Sequence, residues 1–562
     1  MFRTDPSLSS SSPSSARSFD LSSFTLDRRR FLGGVAALGA GAVLAACSSG
    51  GSGQPLGAVS TLPSALQGGT PKRGGTFTVG MGGSGSAETL YGGNAAVSVD
   101  YLRSYSLYNL LFYPATKVTP LQPGLALNAT ANADSTVWTL ELRKDVLWHN
   151  GKPFEASDVV YNIQSLWTDP SKNLGAAFLT GLIDLPNVRA LDTNTVQIPL
   201  TRAVGQLPSL FAYVNFAVLP AGSTPESVAA QPIGTGPFRY VSFTPGRESV
   251  FDANRDYWEE GKPYVDRLVV QSGFSDPTAV VNALEAGQIN LASSVDPVSA
   301  RQQATSNRFQ VIQSELAANV ALISMRVDEG PFADVRVRQA MKLLCNRQAL
   351  IDGALSGFGT PGNDLISVGS EFFAGDITSE YDPDRAKSLL QQAGADGQAF
   401  SLQTFSGGGP WDPAATLFAQ QAQAAGVDVQ ADVTSSDTYF TAAGGVYTGY
   451  FRQNFSGPIA TSLTASYRLF LSKNAPFQDT HWAQQPGGDK YESLLDQAIS
   501  ASDAGLAAEL WKEVQQVQHD EGGYIGWANM PYVDAAANNV RGLSAGSATS
   551  FNNYRLCDGW VE

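Results

Sequence analysis

Apolar residues recur along the chain in two periods. Gly75-Thr76-Phe77-Thr78-Val79 alternates and predicts a first strand. Trp138-Thr139-Leu140-Glu141-Leu142 alternates in the same way. Val146-Leu147-Trp148 follows it, so a strand pair ending in a turn at Asn150-Gly151 is expected. Three stretches switch to helical spacing and share one punctuation: Asp as cap, Pro at the first helical position, Gly just past the end. They run from Asp276-Pro277 to Gly287, from Asp382-Pro383 to Gly394 and from Asp412-Pro413 to Gly426. The last leads into Val427, Val429, Ala431 and Val433, a period-two strand. Val159, Ile163, Leu166 and Trp167 share one helical face behind Asp158, and Val337, Met341 and Leu344 share another behind Asp334. Strands alternating with helices predict α/β lobes. No fixed-period repeat interrupts them.

A chain of 562 residues exceeds the roughly 250–300 that one core supports, so at least two lobes are expected. The first residues form a Ser-rich tail too poor in apolar side chains to fold. Arg28-Arg29-Arg30-Phe31-Leu32 and an Ala/Gly-rich apolar run from Gly33 to Ala46 follow. That run is shorter than the roughly 20 residues needed to cross a bilayer and reads as a secretory signal. Arg28 and Arg29, with Phe-Leu after them, resemble the twin-arginine export signal. Leu44-Ala45-Ala46-Cys47 resembles the bacterial lipoprotein box, in which the Cys47 sulfur takes lipid and starts the mature chain. The alternative is cleavage near Ala46 with Cys47 incidental. Residues 47–71 are Gly/Ser/Pro-rich and read as a flexible tether. The expected location is the outer face of the cytoplasmic membrane, on the periplasmic side or cell surface. The formal charge is −15, and loss of five Arg and three Asp with the signal takes it to −17. Such a balance excludes nucleic acid as a partner and a basic membrane-binding face. Cys345 and Cys557 leave one disulfide open, although Cys345 sits in a helical run and reads equally as a buried thiol.

Trp138 to Leu166, WTLELRKDVLWHNGKPFEASDVVYNIQSL, closely resembles the signature of the family 5 solute-binding proteins, the oligopeptide, dipeptide and nickel-binding class. Further matches follow in order. They are Gly234-Thr235-Gly236-Pro237-Phe238, Asn254-Arg255-Asp256-Tyr257-Trp258, Ala283 to Gly287, Pro331 to Ala340, and Tyr381-Asp382-Pro383 with Ala386, Leu389 and Leu390. The resemblance implies a two-lobe α/β clam of the periplasmic-binding-protein kind (type II, cluster C-like), with an extra subdomain on lobe one. It places residues 1–46 in the tail and signal, and 47–71 in the tether. Residues 72–110, 230–318 and 526–562 fall to lobe one, 111–229 to its subdomain, and 319–525 to lobe two. Crossings between lobes are expected near Ala321 to Met325 and Tyr524 to Trp527. The implied function is capture of a peptide or similar small organic solute between the lobes. Ligand stabilises the closed form, which the permease and ATPase complex of an ABC importer recognises. A monomer without cofactor or catalytic residues is expected.

A secreted, lipid-anchored hydrolase is the competing reading. Gly542-Leu543-Ser544-Ala545-Gly546 spells a nucleophile elbow, but an esterase of that kind needs a later His and none follows His519. Gly80 to Gly85 spells the dinucleotide fingerprint without a clear helix after it. His149, His481 and His519 are isolated and lack metal-ligand spacing, and His149 reads as a solvated turn residue. No pair of carboxylates stands out for glycoside hydrolysis. Ligand contacts are therefore sought in loops facing a cleft, where aromatic faces and matched polar groups are needed. The candidates are Tyr91 in Glu88-Thr89-Leu90-Tyr91, Phe405 and Trp411 at the ends of a Gly-rich loop, Phe451, Arg452 and Asn454, and Trp527. Family members that take free peptides hold the ammonium with Asp in a stretch resembling Trp-x-x-Asp-x-x-Asp-Pro. Here Asn454 and Gly457 occupy the two acidic positions. A cleft that does not depend on a free amino terminus is expected, with Arg452 facing a carboxylate or other anion.

Overall fold

The computed structural model describes residues 65–66, 68–114, 121–274, 276–306, 308–314, 319–406, 409–439, 449–456, 462–475, 477–546 and 550–562. Arg28, Arg29 and Cys47 lie outside them. The alternating segment near the start becomes Thr76–Gly80 (β1), with Phe77 and Val79 buried. A helix, Ser98–Leu107 (α1), follows, and the chain then builds the subdomain. Its strands are Ala126–Ala131 (β2) and Val137–Leu142 (β3), then, beyond the helix Ala156–Asn162 (α2), Arg189–Asp192 (β4) and Thr195–Pro199 (β5). They form an antiparallel sheet in the order β2-β3-β5-β4. The signature stretch therefore supplies a central strand of the subdomain and its helix. In that helix Glu155 and Asp158 make a capping box, and Val159 is buried with Ile163, Leu166 and Trp167 of the π-helical turn Ile163–Trp167 that continues it. Val146–Trp148 is not a paired strand: Leu147 bridges Pro153 alone, and β3 pairs with β2 and β5 instead.

The chain returns through Phe238–Thr244 (β6), Glu248–Ala253 (β7) and Arg267–Gln271 (β8), then Pro277–Glu285 (α3), Leu291–Ala292 (β9) and Gln310–Gln313 (β10). It next enters lobe two. Asn319–Met325 (β11), Val335–Leu343 (α4), Arg347–Ala354 (α5), Thr360–Pro361 (β12), Pro383–Gln392 (α6), Phe400–Ser406 (β13), Trp411–Ala424 (α7) and Val429–Ser435 (β14) come first. Phe451–Ser456 (β15), Leu463–Phe470 (α8), Gly488–Ser500 (α9), Ala504–Glu521 (α10) and Tyr524–Met530 (β16) complete it. Val533–Ala536 (β17) rejoins the first sheet, whose seven strands run β10-β17-β9-β1-β8-β7-β6. The six-stranded sheet of lobe two runs β12-β16-β11-β15-β13-β14. Both β11 and β16 belong wholly to lobe two, so the first crossing falls earlier than expected, between Ser314 and Asn319, and the second later, between Met530 and Val533. Residues 526–530, expected in lobe one, are strand residues of lobe two.

The helix punctuation works as chemistry in two of its three places. Asp276 accepts from Ala279 N and Asp382 from Arg385 N, while Gly287 and Gly394 take positive φ of 69° each. The third helix starts at Trp411, with Pro410 as cap and Asp412 in its first turn. Asp334 caps α4, and Val337, Met341 and Leu344 are buried behind it. No disulfide forms between Cys345 and Cys557. Each thiol is free and buried, Cys345 in the core of lobe two, and burial pushes both thiol pKa values up to about 12. The tether is shorter than expected, because Ala65–Leu66 pairs with Leu543–Ser544 and Leu66 is buried.

Lobe two carries an ion pair inside its core. Arg347 Nη2 meets Asp364 Oδ1 at 2.7 Å, with the side chains 4% and 1% exposed. The same carboxylate oxygen accepts from Gly526 N at 2.9 Å, and Arg347 Nε donates to Gly526 O at 3.0 Å. The pair clamps both polar groups of one residue in β16, where that strand shifts register against β11.

Candidate functional site

Both large sheets aim the carboxyl ends of their parallel strands at the crossings. In lobe one β8 and β9 run parallel to β1, and Val295, just past β9, donates to Val533 O at the second crossing. In lobe two β14 and β15 run parallel to β13, and the end of β15, Ser456, pairs with Val320 beside the first crossing. Open α/β sheets bind ligands outside the carboxyl ends of their strands. The space between the lobes is accordingly the candidate site. At its floor the crossing chains hold each other: Ser314 N donates to Tyr532 O at 2.9 Å and Tyr532 N to Ser314 Oγ at 3.0 Å.

A wall of tyrosines, most of them buried in the lobe-one core, stands beside this floor. The Tyr532 hydroxyl lies 3.3 Å from Ser98 Oγ and also faces Tyr554 and Asn319. Tyr101 and Tyr213 bring their hydroxyls to 3.4 Å, with rings edge to face at 6.5 Å. Tyr554 stacks on Tyr105 at 6.2 Å and meets Tyr101 edge to face at 6.3 Å. Burial pushes the Tyr213 hydroxyl up to about 12 and the other hydroxyls higher than the usual 10, so all stay neutral donors and acceptors. Tyr554 ends a run of three left-handed residues, Asn552, Asn553 and Tyr554, with φ of 47°, 54° and 61°. Such a conformation costs an L residue about 1–2 kcal/mol, so the fold spends energy to seat this ring. Asp534, in β17, lies behind the wall. It accepts from Ser294 N, Ser550 Oγ and Phe551 N at 2.9, 2.8 and 3.1 Å, while burial pushes its carboxyl up to about 6 against those donors.

The residues singled out from sequence are distributed over several surroundings. Phe405, Trp411, Phe451 and Trp527 are buried in the core of lobe two; Phe405 stacks at 4.9 Å on Tyr439 and Trp411 at 5.3 Å on Phe455. Phe405 and Trp411 flank the carboxyl end of β13, closest in chain to the cleft. Arg452 and Asn454 point to the other face of β15 and share one acid. Asp479 Oδ2 takes the Asn454 amide at 2.7 Å, and its Oδ1 meets Arg452 Nη2 at 3.4 Å. The guanidinium also donates to Gly449 O and Asp479 O, so both terminal nitrogens are engaged inside lobe two, while Nε is buried without a partner. The group is close to neutral. Tyr91 packs beneath the subdomain, raised above its usual pKa by burial and by Asp169. Glu88 beside it pairs with Arg103 at 2.7 Å, both side chains fully buried. The wall itself, Tyr101, Tyr213, Tyr532 and Tyr554, was not foreseen. Tyr101 and Tyr105, spaced i and i+4 after the first strand, were the one local signal available.

The competing motifs find structural roles. Ser544 donates to Asn552 Oδ1 at 2.8 Å, and no histidine partners it. The Gly-rich loop after β1 leads into a 3₁₀ turn at Gly85–Ala87, and a Cβ on Gly83 would lie 1.9 Å from Glu88 Oε1. His149 is not a solvated turn residue. Its Nδ1 accepts from Gly234 N at 3.2 Å and its Nε2 lies 3.0 Å from Gly236 O; burial depresses its pKa to about 4. Among the described residues no cluster of His, Cys, Asp or Glu is arranged to hold a metal, and no helix is long and apolar enough to cross a membrane.

The profile of the bacterial extracellular solute-binding proteins, family 5, matches residues 120–476. The chain belongs to that family. The dipeptide-binding protein of Escherichia coli K12 is 28% identical over 455 residues, covering 74% of this chain and 82% of that protein. The nickel-binding periplasmic protein of the same organism is 25% identical over 432 residues, 72% of this chain and 80% of that one. The crystal structure of the ABC transporter substrate-binding protein CtaP from Listeria monocytogenes superposes with a TM-score of 0.75 at 20% identity, covering 87% of this chain and 100% of that chain. The two-lobe periplasmic-binding-protein fold implied by the motifs is therefore the fold of this family 5 chain. Its motifs hold the frame. A Cβ on Gly234 would lie 1.8 Å from Leu107 O, so only glycine lets the returning chain press against the end of α1. Asn254 donates to Gly236 O and accepts from Arg239, and Trp258 donates to Asn109.

Proposed function

We propose that the chain captures a peptide or similar small organic solute between its lobes and delivers it to the permease and ATPase of an ABC importer. It does so as a monomer tethered to the outer face of the cytoplasmic membrane by lipid on Cys47, after export directed by Arg28 and Arg29. The observation that carries the reading is the cleft. In a family 5 chain, the strand ends of two sheets face the crossings, and a cluster of neutral tyrosine hydroxyls lies beside Tyr532 there among the described residues. Such a wall offers apolar faces with hydrogen-bonding tips, which suits a solute carrying amide or hydroxyl groups. The lobe-two contribution comes from the ends of β13 and β15, around Trp411 and Asn454. Because Asp479 is already engaged by Arg452 and Asn454, no unpaired acid stands at the end of β15 among the described residues for a ligand ammonium.

Mass spectrometry of the solute that co-purifies with protein made in its own host tests the reading. One small organic molecule near one per chain is expected, and repeated recovery of none, with no thermal stabilisation by any peptide pool, would overturn it. Calorimetry against matched short peptides, with free or acetylated amino termini, tests the ligand end. Equal affinities are expected. A loss of about 3 kcal/mol on acetylation would reveal an ammonium site.

A further inference from the structure

The two lobes touch directly through residues outside the crossing segments. On the subdomain side the contact is the loop after β5. Gly205 N donates to Ile499 O in α9 at 2.9 Å, and Ser209 Oγ donates to Ser462 Oγ, the cap of α8, at 2.9 Å in a buried position. Arg202 forms an ion pair with Asp496 of α9. In return Arg468 of α8 donates to Thr180 O at 2.7 Å and reaches Ala177 O at 3.5 Å in the subdomain. Val204, Leu207 and Leu210 are fully buried in one apolar cluster with Leu495 and Ile499. The approach is so close that a Cβ on Gly205 would sit 1.8 Å from Ala501 O, 2.7 Å from Ala501 C and 3.3 Å from Ser502 N. All three atoms belong to lobe two.

We infer that the loop from Arg202 to Ser209 is a latch that holds the subdomain against α8 and α9, so that the closed form predominates even without solute. Every bond in the contact runs from protein to protein, and none needs a ligand to complete it. A two-state closure responds to any contact made in one state alone, whatever molecule supplies it. Solute then enters during brief opening, and its binding energy adds to a closure the chain already favours. Gly205 is the element that permits the fit: its missing side chain is what lets the two backbones meet, since its φ is ordinary and the three atoms nearest a Cβ there all lie across the contact.

The latch is tested without any ligand, so its outcome is independent of the solute reading. Leu191 in the subdomain and Leu506 in α10 are each 50% exposed and serve as spin-label sites once changed to Cys, in a Cys47→Ala background; the remaining cysteines are buried. The protein is unfolded, freed of solute and refolded, and the label-to-label distance distribution is measured by double electron–electron resonance. One dominant short distance is expected for the parent. Gly205→Leu should move most of the population to longer distances, a change of at least about tenfold in the closed-to-open ratio. Arg202→Asp, which sets like charge against Asp496 on an exposed edge and leaves the core alone, should shift it the same way. Melting curves confirm that each variant is folded. A ligand-free parent already as open as Gly205→Leu, or two folded variants with the parent's distribution, would overturn the latch.

Discussion

His149 makes the acid stability of the lobe-one frame a measurable consequence of one hydrogen-bond geometry. Its Nδ1 accepts from Gly234 N–H, so the neutral ring carries its proton on Nε2, which donates to Gly236 O. Protonating Nδ1 would set two donors against each other in a buried place. The folded pKa is accordingly depressed to about 4, chiefly by burial, against roughly 6.5 in the unfolded chain. Below about pH 6.5 the unfolded chain takes up a proton that the folded chain refuses. Stability therefore falls as the pH drops from about 6.5 to about 4 and is fully present above that window. At pH 5 the difference amounts to about 2 kcal/mol, an upper figure because the ring is partly exposed. His149→Asn keeps an acceptor near Gly234 and cannot titrate. It should cost about 1 kcal/mol at pH 7.5 and lose less than the parent on going to pH 5, so that the two urea midpoints converge. The ring signal of His149 in a proton NMR titration, one of only three histidines, should hold its neutral position until near pH 4. Parallel acid losses in parent and variant, or a ring that titrates near 6.5, would refute the reasoning.

Asp364→Ala should destabilise lobe two by about 3–5 kcal/mol, because Arg347 is left charged, buried and unpaired; adding Arg347→Met should restore much of the loss, and a double variant weaker than the single one would contradict this. Cys47→Ala should release the protein from the membrane fraction into the medium, and an unchanged membrane share would exclude lipid at that residue. Replacing Arg28 and Arg29 together by Lys should block export of the folded chain, whereas normal surface levels would point to the general secretory route.

How far the sequence could be read follows the range over which each feature is determined. Asp276 and Asp382 cap helices because a cap needs only three residues of local chain, and that is visible in a string of letters. At Asp412 the same spelling fails by two residues, since Trp411 is drawn into the helix by packing on Phe405 and Phe455, which no local rule contains. Gly234 and Gly236 announced the family, but the reason for them is Leu107, more than a hundred residues earlier. The role of His149 was missed for the same reason. Its sequence neighbours are a turn, while its partners arrive from the far side of the subdomain.

The cleft was the hardest part to see, and β15 explains why. Period two correctly separates Phe451, Gln453 and Phe455 from Arg452 and Asn454. In a strand with one wet face, that separation would name the ligand side. β15 is instead an inner strand buried on both faces, with Phe451 and Phe455 in the core of lobe two and Arg452 and Asn454 against Asp479. What decides access is then the distance along the strand to the crossing, together with whatever lobe one brings to meet it. Tyr101, Tyr213 and Tyr554 come from three separate stretches that meet inside lobe one, and Tyr532 joins them from the crossing held at Ser314. A site assembled at a topological junction leaves no contiguous motif. Its trace is the strain at Asn552 to Tyr554 and the hydroxyl-to-hydroxyl contacts of the wall, and neither exists until the lobes do.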